Sequence, residues 1–342
     1  MMMVEEMVAL FKVSFSTLVL MAYSRFMAAR TTRGFRRLVS ILPVIAVLFF
    51  LPLKFSSIHL RGISAFFLAW LAVFKLLLMS FDSGPLSPTL PFFTFLAVAA
   101  LPVKIRPSFS PPHSKRPRFL PSAIKALLFS VLLSFYSYRD RFPRYLLIAL
   151  YSFHIYLALE LVLATSAFLA GVLLGLDLEP QFDAPYRATS LQDFWGRRWN
   201  LMVTSILRPS VYGPVRAHWG DVAGCLSTFI VSGAMHELMF FYITSATPTG
   251  EVFFFFVLHG ACTAGEVWVK RAAKGHAGEK GRQVNQLAST VMTLGFVFGT
   301  TFWLFFPQIT RNGSDQRVLE ECDAAMRILA DGSRAVVSWF GL

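Results

Sequence analysis

Apolar runs of near-membrane length, separated by short polar segments, occupy most of the 342-residue sequence. A helix rises about 1.5 Å per residue and needs about 20 residues to cross the hydrocarbon core of a bilayer. The runs that meet or approach this length are residues 8 to 29, 38 to 53, 63 to 81, 122 to 138, 145 to 176, 222 to 243, 252 to 271 and 287 to 306. They predict an all-α polytopic membrane protein with about eight transmembrane helices.

The composition agrees with this class and argues against two others. With 55% hydrophobic residues and a mean hydropathy of +0.58, the chain is too apolar for an ordinary soluble domain. The 32 Lys and Arg residues outnumber the 19 Asp and Glu residues, but they occupy short segments between apolar runs, which is typical of positive-inside topology. No recognition motif accompanies the charge, so we do not expect nucleic-acid binding. A basic cytosolic surface attracts anionic membrane lipids and the phosphates of coenzyme A.

The basic segments also predict the orientation of the chain. They are residues 30 to 37, 104 to 118, 187 to 216 and 270 to 282, whereas residues 82 to 89 and 244 to 251 contain no Lys or Arg. Residues 91 to 103 include two prolines and are too short to span, so a re-entrant or interfacial segment is expected near 90 to 103. With this arrangement the four basic segments face the cytosol and both termini face the lumen. We expect an integral protein of the endoplasmic reticulum membrane.

Several patterns that would indicate other chemistries are absent from the sequence. Cys225, Cys262 and Cys322 form no C-x-x-C pair, so they predict neither a disulfide framework nor a zinc site and are interpreted as packing residues. The segment after His236 lacks the second histidine of H-E-x-x-H, which argues against a zinc metalloprotease. There is no G-x-S-x-G elbow, P-loop or G-x-G-x-x-G fingerprint. We therefore expect no metal and no resident cofactor.

Two polar segments are candidates for the functional centre. The first is the charged, aromatic loop Ser190-Leu-Gln-Asp-Phe-Trp-Gly-Arg-Arg-Trp-Asn200, and the second is Ser232-Gly-Ala-Met-His-Glu-Leu238 inside the sixth run. A histidine in the middle of a membrane-length run is costly to place there, so His236 marks a functional site. Neutral imidazole suits proton removal at cellular pH, which makes His236 a candidate general base. The alternative is a hydrogen-bonded packing histidine. Ser232 lies one helical turn earlier on the same face.

These two segments resemble the membrane-bound O-acyltransferase superfamily. Asp193-Phe-Trp-Gly-Arg-Arg-Trp-Asn200 and Gly233-Ala-Met-His-Glu237 carry the resemblance, and within the superfamily the chain is most similar to the plant wax synthase branch, the long-chain-alcohol O-fatty-acyltransferases. Leu101-Pro-Val-Lys104 and Leu258-His-Gly260 extend the likeness. The resemblance implies that the chain transfers a fatty acyl group from the co-substrate acyl-CoA to the hydroxyl of a long-chain fatty alcohol. It also implies catalytic roles for His236 and Asn200.

The residues around this pair give further candidates. The Asn200 amide can orient the thioester carbonyl or the alcohol hydroxyl, although a loop or cap asparagine is the alternative. Candidates for binding the phosphates and adenine of acyl-CoA are Arg197, Arg198, Arg208, Trp195 and Trp199, and positive-inside charge with interfacial aromatics explains the same residues without a donor site. No nucleophilic cysteine or serine with a neighbouring base stands out in the sequence, so a direct reaction between acyl-CoA and alcohol is expected.

Other polar residues within the apolar runs leave alternatives open. Glu237, Ser232 and His259 are secondary site candidates, and His259 belongs to a segment that matches the family. Lys75, Glu160, Glu237 and Glu266 are expected to pair between helices, but they also fit the ion path of a membrane transporter. Within the acyltransferase hypothesis, a sterol or diacylglycerol is the alternative acceptor.

The expected division of the chain is simple. Residues 1 to 306 form a single transmembrane acyltransferase domain with a catalytic core at about 188 to 271, and residues 307 to 342 form a C-terminal amphipathic tail that can lie on the membrane. Gly171-x-x-x-Gly175 and Gly295-x-x-x-Gly299 predict close packing of neighbouring helices within the chain.

Overall fold

A computed structural model of the chain describes residues 2 to 106, 119 to 276 and 285 to 339. Within these ranges the regular structure is helical, and the one β-bridge pairs Ile105 with Leu178. In chain order the α-helices are α1 Met2–Arg30, α2 Phe35–Phe50, α3 Ile58–Ser64, α4 Val73–Ser80, α5 Phe92–Ala100, α6 Phe119–Phe135, α7 Arg144–Leu174, α8 Leu191–Asp193, α9 Leu201–Leu207, α10 Gly213–Thr244, α11 Glu251–His276, α12 Gln286–Thr300, α13 Pro307–Arg311 and α14 Ser314–Trp339. Most of the predicted basic segment from 104 to 118, and part of that from 270 to 282, lies outside the described residues.

Seven stretches of the described chain are long and apolar enough to cross a membrane: Val4–Arg30, Phe35–Lys54, Ile58–Ser80, Arg144–Leu174, Leu201–Thr244, Glu251–Ala272 and Gln286–Arg311. They correspond to seven of the eight predicted runs, to within two residues where a run extends past its stretch, and confirm an all-α polytopic membrane protein. The remaining predicted run, residues 122 to 138, coincides with α6. This helix has 17 residues, is followed by a 3-10 turn and is not among the seven stretches. The long fifth run forms one unbroken 31-residue helix, α7.

Helix α5 confirms that the segment near 90 to 103 does not cross the membrane. It has nine residues, which is about 14 Å of helix and less than half of a bilayer core. Its C-terminal carbonyls are satisfied by Lys75, which is fully buried and donates from Nζ to the oxygens of Val98 at 2.7 Å and Leu101 at 2.6 Å. A cation at a helix C-terminus is favoured by both the helix dipole and the unpaired carbonyls.

Residues 187 to 216 were predicted to form a basic loop. Most of them are helical in the structure, so the prediction of a loop is wrong. α9, a π-helical segment Arg208–Tyr212 and α10 follow one another directly. Met202, Ile206 and Leu207 recur at helical spacing and are buried, so they fix this segment as a helix. The chain changes direction within α10 at Gly220, whose φ of 81° is readily adopted by glycine because it has no Cβ.

Helices α10 and α11 are antiparallel neighbours that approach closely through two glycines. A Cβ on Gly260 would lie 2.6 Å from the Phe229 Cβ, and one on Gly233 would lie 3.0 Å from the Phe253 ring. The predicted G-x-x-x-G contacts are wrong, because Gly295 and Gly299 face open space and Gly175 is the left-handed C-cap of α7. The close helix pair is therefore the one that carries the two candidate histidines.

The C-terminal tail contains the predicted helix, α14, but its first half packs into the protein. Leu319 is buried, and the Glu321 carboxylate caps the start of α3 by accepting from the backbone nitrogens of Ile58 at 2.7 Å and His59 at 3.1 Å. Burial opposes ionisation of Glu321, but the hydrogen bonds from the His59 side chain and these backbone nitrogens outweigh it and lower the pKa of the carboxyl to about 2. The first half of α14 is therefore anchored to the helical bundle.

Candidate active site

A cavity of about 650 Å³ lies within the bundle and has a size typical of ligand sites. Its walls come from α3 and the π-helical segment after it, from α7, α10, α11 and α12, from the segment that precedes α9, and from α14. The lining is almost entirely aliphatic and aromatic, and Asn200 and His236 are among its few polar side chains. The structure thus brings the two principal candidates, 36 residues apart in sequence, to the wall of one apolar space.

His236 is held on α10 in a defined orientation. Its ring stacks on Phe256 with centroids 3.8 Å apart and meets the edge of Trp70 at 4.8 Å. Nδ1 lies 2.7 Å from the backbone oxygen of Ser232. Because a carbonyl oxygen only accepts, Nδ1 carries the hydrogen, and the neutral ring keeps its lone pair on Nε2. Nε2 has no hydrogen bond to any residue that the structure describes.

Asn200 has a structural role and a place at the cavity at the same time. It caps α9 in the left-handed conformation, with φ 39°, and its Oδ1 accepts a long 3.4 Å hydrogen bond from the Val203 nitrogen. Asparagine tolerates this conformation better than most residues. The cap uses the oxygen of the amide and leaves the two N–H groups of Nδ2 for other partners. The cap interpretation is confirmed, while the side chain is 7% exposed and lines the cavity.

The segment before Asn200 is more ordered than the predicted loop. It consists of the single turn α8 and a π-helical turn Phe194–Arg198. Trp195 and Trp199 line the cavity, and Trp199 stacks on Phe194 with ring centroids 5.4 Å apart. These tryptophans are packing residues of the cavity wall, which leaves less of their surface for stacking on an adenine ring.

The candidate arginines differ in how much of their hydrogen-bonding capacity is free. Arg198 donates to the Asp193 carboxylate at 2.6 Å and to the Asp183 backbone oxygen at 3.2 Å, so it braces the segment. Arg197 and Arg208 are exposed and form no ion pair with another residue of the described ranges. Of the three, Arg197 and Arg208 therefore have the guanidinium groups available for an anionic ligand.

His259 is buried away from the cavity with both ring nitrogens occupied. Nδ1 accepts from the Trp195 indole N–H at 3.1 Å, and Nε2 lies 2.8 Å from Thr300 Oγ1. The indole nitrogen only donates, so Nδ1 is the acceptor and Nε2–H donates to the threonine. The ring is fully buried and is not part of the cavity wall. His259 therefore positions Trp195, which is at that wall.

The other secondary candidates are also engaged locally. Ser232 supplies the backbone oxygen that orients His236, and its hydroxyl lies at the limit of hydrogen bonding, 3.5 Å from Nδ1. The Glu237 carboxylate accepts a hydrogen bond from the Phe253 backbone nitrogen at 2.9 Å and so caps the first turn of α11.

The ion path of the transporter alternative finds no support in the described residues. Its four groups have separate partners: Lys75 with the end of α5, Glu237 with the start of α11, Glu160 with Lys125, and Glu266 with Lys270. Lys75, Glu160 and Glu237 each pair with a different helix, which confirms the expected helix-to-helix pairing for these three. The ion pair of Glu266 with Lys270 lies within α11.

Part of the cavity wall was not foreseen from the sequence. His59 and Phe66 on the α3 side, His154 and Tyr156 on α7, and Leu319 on α14 all line the cavity. They lie in apolar stretches without a motif or in the tail, and only the packing of α14 against α3 and α7 brings them together. A buried histidine in an apolar run, such as His154, was the one available signal.

Comparison with known proteins agrees with the resemblance seen in the two polar segments. Residues 178 to 258 match the family model described as membrane bound O-acyl transferase family, and this range includes both segments. The chain is 44% identical to a long-chain-alcohol O-fatty-acyltransferase of Simmondsia chinensis, over 93% of this chain and 94% of that protein. It is 43% identical to probable long-chain-alcohol O-fatty-acyltransferase 1 of Arabidopsis thaliana, over 94% and 96%. Acyl-CoA--sterol O-acyltransferase 1 of Arabidopsis thaliana is 41% identical over 88% of this chain and 90% of that protein.

Two findings define the class of this protein. The fold is a polytopic helical bundle with a histidine and an asparagine at an apolar cavity, and the sequence identity extends over nearly the whole chain. The chain belongs to the membrane bound O-acyl transferase family and is an acyltransferase. Within that family, its similarity runs through the long-chain-alcohol O-fatty-acyltransferases over almost the full length of both sequences. The resemblance proposed from the sequence is thereby confirmed.

Proposed function

We propose that this protein transfers a fatty acyl group from acyl-CoA to the hydroxyl of a long-chain fatty alcohol, and that the products are a wax ester and free coenzyme A. The full-length similarity to long-chain-alcohol O-fatty-acyltransferases supports the choice of substrates. The apolar cavity supports a reaction between two lipid chains, because aligning both chains in one space supplies proximity.

The observation that carries the mechanism is the hydrogen bond from His236 Nδ1 to the Ser232 carbonyl. It fixes the tautomer in which Nε2 is the proton acceptor. As the alcohol oxygen attacks the thioester carbonyl, Nε2 takes the hydroxyl proton. The carbon–sulfur bond then breaks, and the protonated imidazole returns the proton to the departing thiolate of coenzyme A. The ring is neutral again at the end of each turnover.

Asn200 contributes the hydrogen-bond donors of its Nδ2 to the oxyanion that forms on the thioester carbon, or to the attacking hydroxyl group. Arg197 and Arg208, whose guanidinium groups are exposed, bind the phosphates of coenzyme A. The positions of Lys and Arg support a cytosolic location of residues 187 to 216 and, when α6 is counted as a crossing, lumenal termini. The membrane in this proposal is that of the endoplasmic reticulum. Protease protection of residues 307 to 342 in sealed microsomes tests this orientation, and a digested tail contradicts it.

A sterol is the second candidate acceptor, because a sterol O-acyltransferase is similar over most of the chain. Purified protein should be given one acyl-CoA together with equal amounts of fatty alcohol, sterol and diacylglycerol. We expect wax ester as the main product and release of one coenzyme A for each ester formed. If steryl ester is the main product, the assigned acceptor changes to a sterol and the mechanism stands. If none of the three alcohols gives an acyl-CoA-dependent ester, the proposal is overturned.

A further inference from the structure

Three potential metal ligands meet where α3, α7 and α14 join. His59, His154 and Cys322 each offer a ligand atom, and the three atoms lie within 4.8 Å of one another. The residues come from three separate helices and are 95 and 168 positions apart along the chain, so no sequence spacing indicated them. Imidazole and thiolate are the ligands that Zn²⁺ prefers in proteins.

The separation of two of the three ligand atoms fits a tetrahedral zinc ion. His59 Nε2 and Cys322 Sγ are 3.7 Å apart. Two ligands of a tetrahedral ion, with Zn–N about 2.0 Å and Zn–S about 2.3 Å, lie about 3.6 Å from each other. The pair therefore already has the separation that a shared ion requires.

The third ligand lacks a partner of its own. His154 is 93% buried, since 7% of its surface is exposed, and its Nδ1 has no hydrogen-bond partner in the described structure. An unsatisfied polar atom in an apolar interior is costly, and a bound ion removes that cost. Beside it, Tyr136 has its ring centroid 5.7 Å from that of His154, and its buried hydroxyl is also without a hydrogen-bond partner.

A carboxylate orients the first ligand in the manner typical of zinc sites. Glu321 Oε2 lies 2.7 Å from His59 Nδ1, so this nitrogen carries the hydrogen and Nε2 is left to face Cys322. Metal-bound histidines usually donate their second nitrogen to a carboxylate or carbonyl, which fixes the tautomer. The same Glu321 accepts from Ser57 Oγ at 2.8 Å and caps α3, so its own position is fixed.

From these observations we propose that His59, His154 and Cys322 bind one zinc ion that joins the C-terminal helix α14 to α3 and α7 at the wall of the cavity. The thiol of Cys322 loses its proton when the ion binds. His59 and His154 both line the cavity, so the fourth position of the ion is open to it and takes a water molecule or a polar group of a lipid. Trp70, which contacts His236, lies in the π-helical segment Ala65–Ala72 that follows α3, and neither Trp70 nor His236 belongs to the cluster, so the ion is separate from the proposed general base.

The test is the zinc content of the purified full-length protein, which requires no acyl substrate and so does not depend on the proposed function. After dialysis we expect about one zinc ion per chain. Cys322→Ser and His154→Phe should lose most of it, and Glu321→Gln should weaken zinc binding about 10- to 100-fold in a competition titration with a chromophoric chelator. Cys262→Ser is the matched control, because Cys262 lies on α11 outside the cluster, and it should keep the metal.

Cobalt replacement tests directly whether the Cys322 thiolate is a ligand. Wild-type protein depleted of metal and given Co²⁺ should show a thiolate-to-cobalt charge-transfer band that persists in Cys262→Ser and disappears in Cys322→Ser. Adding Zn²⁺ back should raise the thermal midpoint of the depleted wild-type protein, because the ion binds the native state only. Wild-type protein that carries no zinc and gives no cobalt band overturns the proposal, and so does a Cys322→Ser protein that binds zinc as tightly as the wild type.

Discussion

Two histidines on adjacent helices have opposite surroundings. His236 on α10 uses one ring nitrogen to bind a backbone oxygen and lies at the cavity wall with the other nitrogen free. His259 on α11 is sealed among Trp195, Phe255 and Phe296, and both of its nitrogens are hydrogen-bonded. The sequence makes His236 the candidate general base and His259 a secondary candidate, but it does not show how the ring nitrogens of either one are used.

The difference shows what a buried polar side chain needs in order to take part in chemistry. A histidine with two protein partners stabilises the bundle, whereas a histidine with one partner has a fixed orientation and an unused lone pair. The same distinction separates Arg197 from Arg198, and the Nδ2 of Asn200 from its capping Oδ1. Variants that remove an atom without a hydrogen-bond partner should therefore affect turnover most, and variants that remove an atom already hydrogen-bonded in the protein should affect it least.

The largest effect is expected for His236→Ala. Loss of a general base typically reduces a rate about 100- to 10,000-fold. Acyl-CoA binding should remain close to that of the wild type, because the lost interaction acts on the transition state. The measurement is kcat for ester formation together with acyl-CoA affinity. Glu237→Gln is the matched control on the next residue, since glutamine still accepts from the Phe253 nitrogen. A folded His236→Ala protein with near wild-type kcat would remove the distinction between the two histidines.

The next effect is expected for Asn200→Asp, which keeps the capping oxygen and a residue type that tolerates positive φ but removes the two N–H donors. If those donors bind the developing oxyanion, kcat should fall about 100- to 1,000-fold with little change in thermal stability. Asn200→Gly is the complementary variant, because it keeps the backbone conformation and loses the whole side chain.

A double-mutant cycle sharpens this result. The Asn200→Asp, His236→Ala double variant should be scarcely slower than His236→Ala, since residues that act as one unit are not additive. Fully additive losses would mean that the two residues act in separate steps.

A smaller effect is expected for the exposed arginine. Arg197→Ala removes a charge-assisted contact and should raise the KM for acyl-CoA about 3- to 10-fold, more than that for the alcohol, and added salt should weaken donor binding in the wild type. Arg198→Ala removes the bond to Asp193 and should reduce thermal stability more than Arg197→Ala does. Equal changes in both KM values with Arg197→Ala would argue against a coenzyme A site here.

The smallest effect on turnover is expected for His259→Leu. This variant leaves the Trp195 N–H unpaired, which typically costs about 1 to 3 kcal/mol of stability, whereas the Thr300 hydroxyl still donates to the Phe296 backbone oxygen. Thermal unfolding should show the loss, while kcat of the folded fraction should fall less than in the variants at the cavity wall. Adding Trp195→Phe removes the unpaired donor and should recover part of the stability. A kcat as low as that of His236→Ala, in protein that is folded, would give His259 a catalytic part.

Much of the fold was predictable because membrane length and apolar composition act locally. Seven predicted runs correspond to stretches that are long and apolar enough to span a membrane, and the short segment near 90 to 103 does not span. The helix from 201 to 219 was missed because its arginines and Gly220 resemble a loop, while the burial that stabilises it comes from other helices. The G-x-x-x-G contacts failed for a related reason: small residues permit close approach but do not select the partner.

The class of the protein, its family and the two segments that contain His236 and Asn200 can be deduced from the amino-acid sequence, because helix length, charge distribution and residue identity are properties of the chain. Which polar atoms remain free depends on the way the helices pack. Hydrogen bonds between helices use both nitrogens of His259 and leave one of His236, and the packing of α14 on α3 and α7 brings Cys322 to His59 and His154. These are contacts between residues far apart in sequence, and they depend on how whole helices pack.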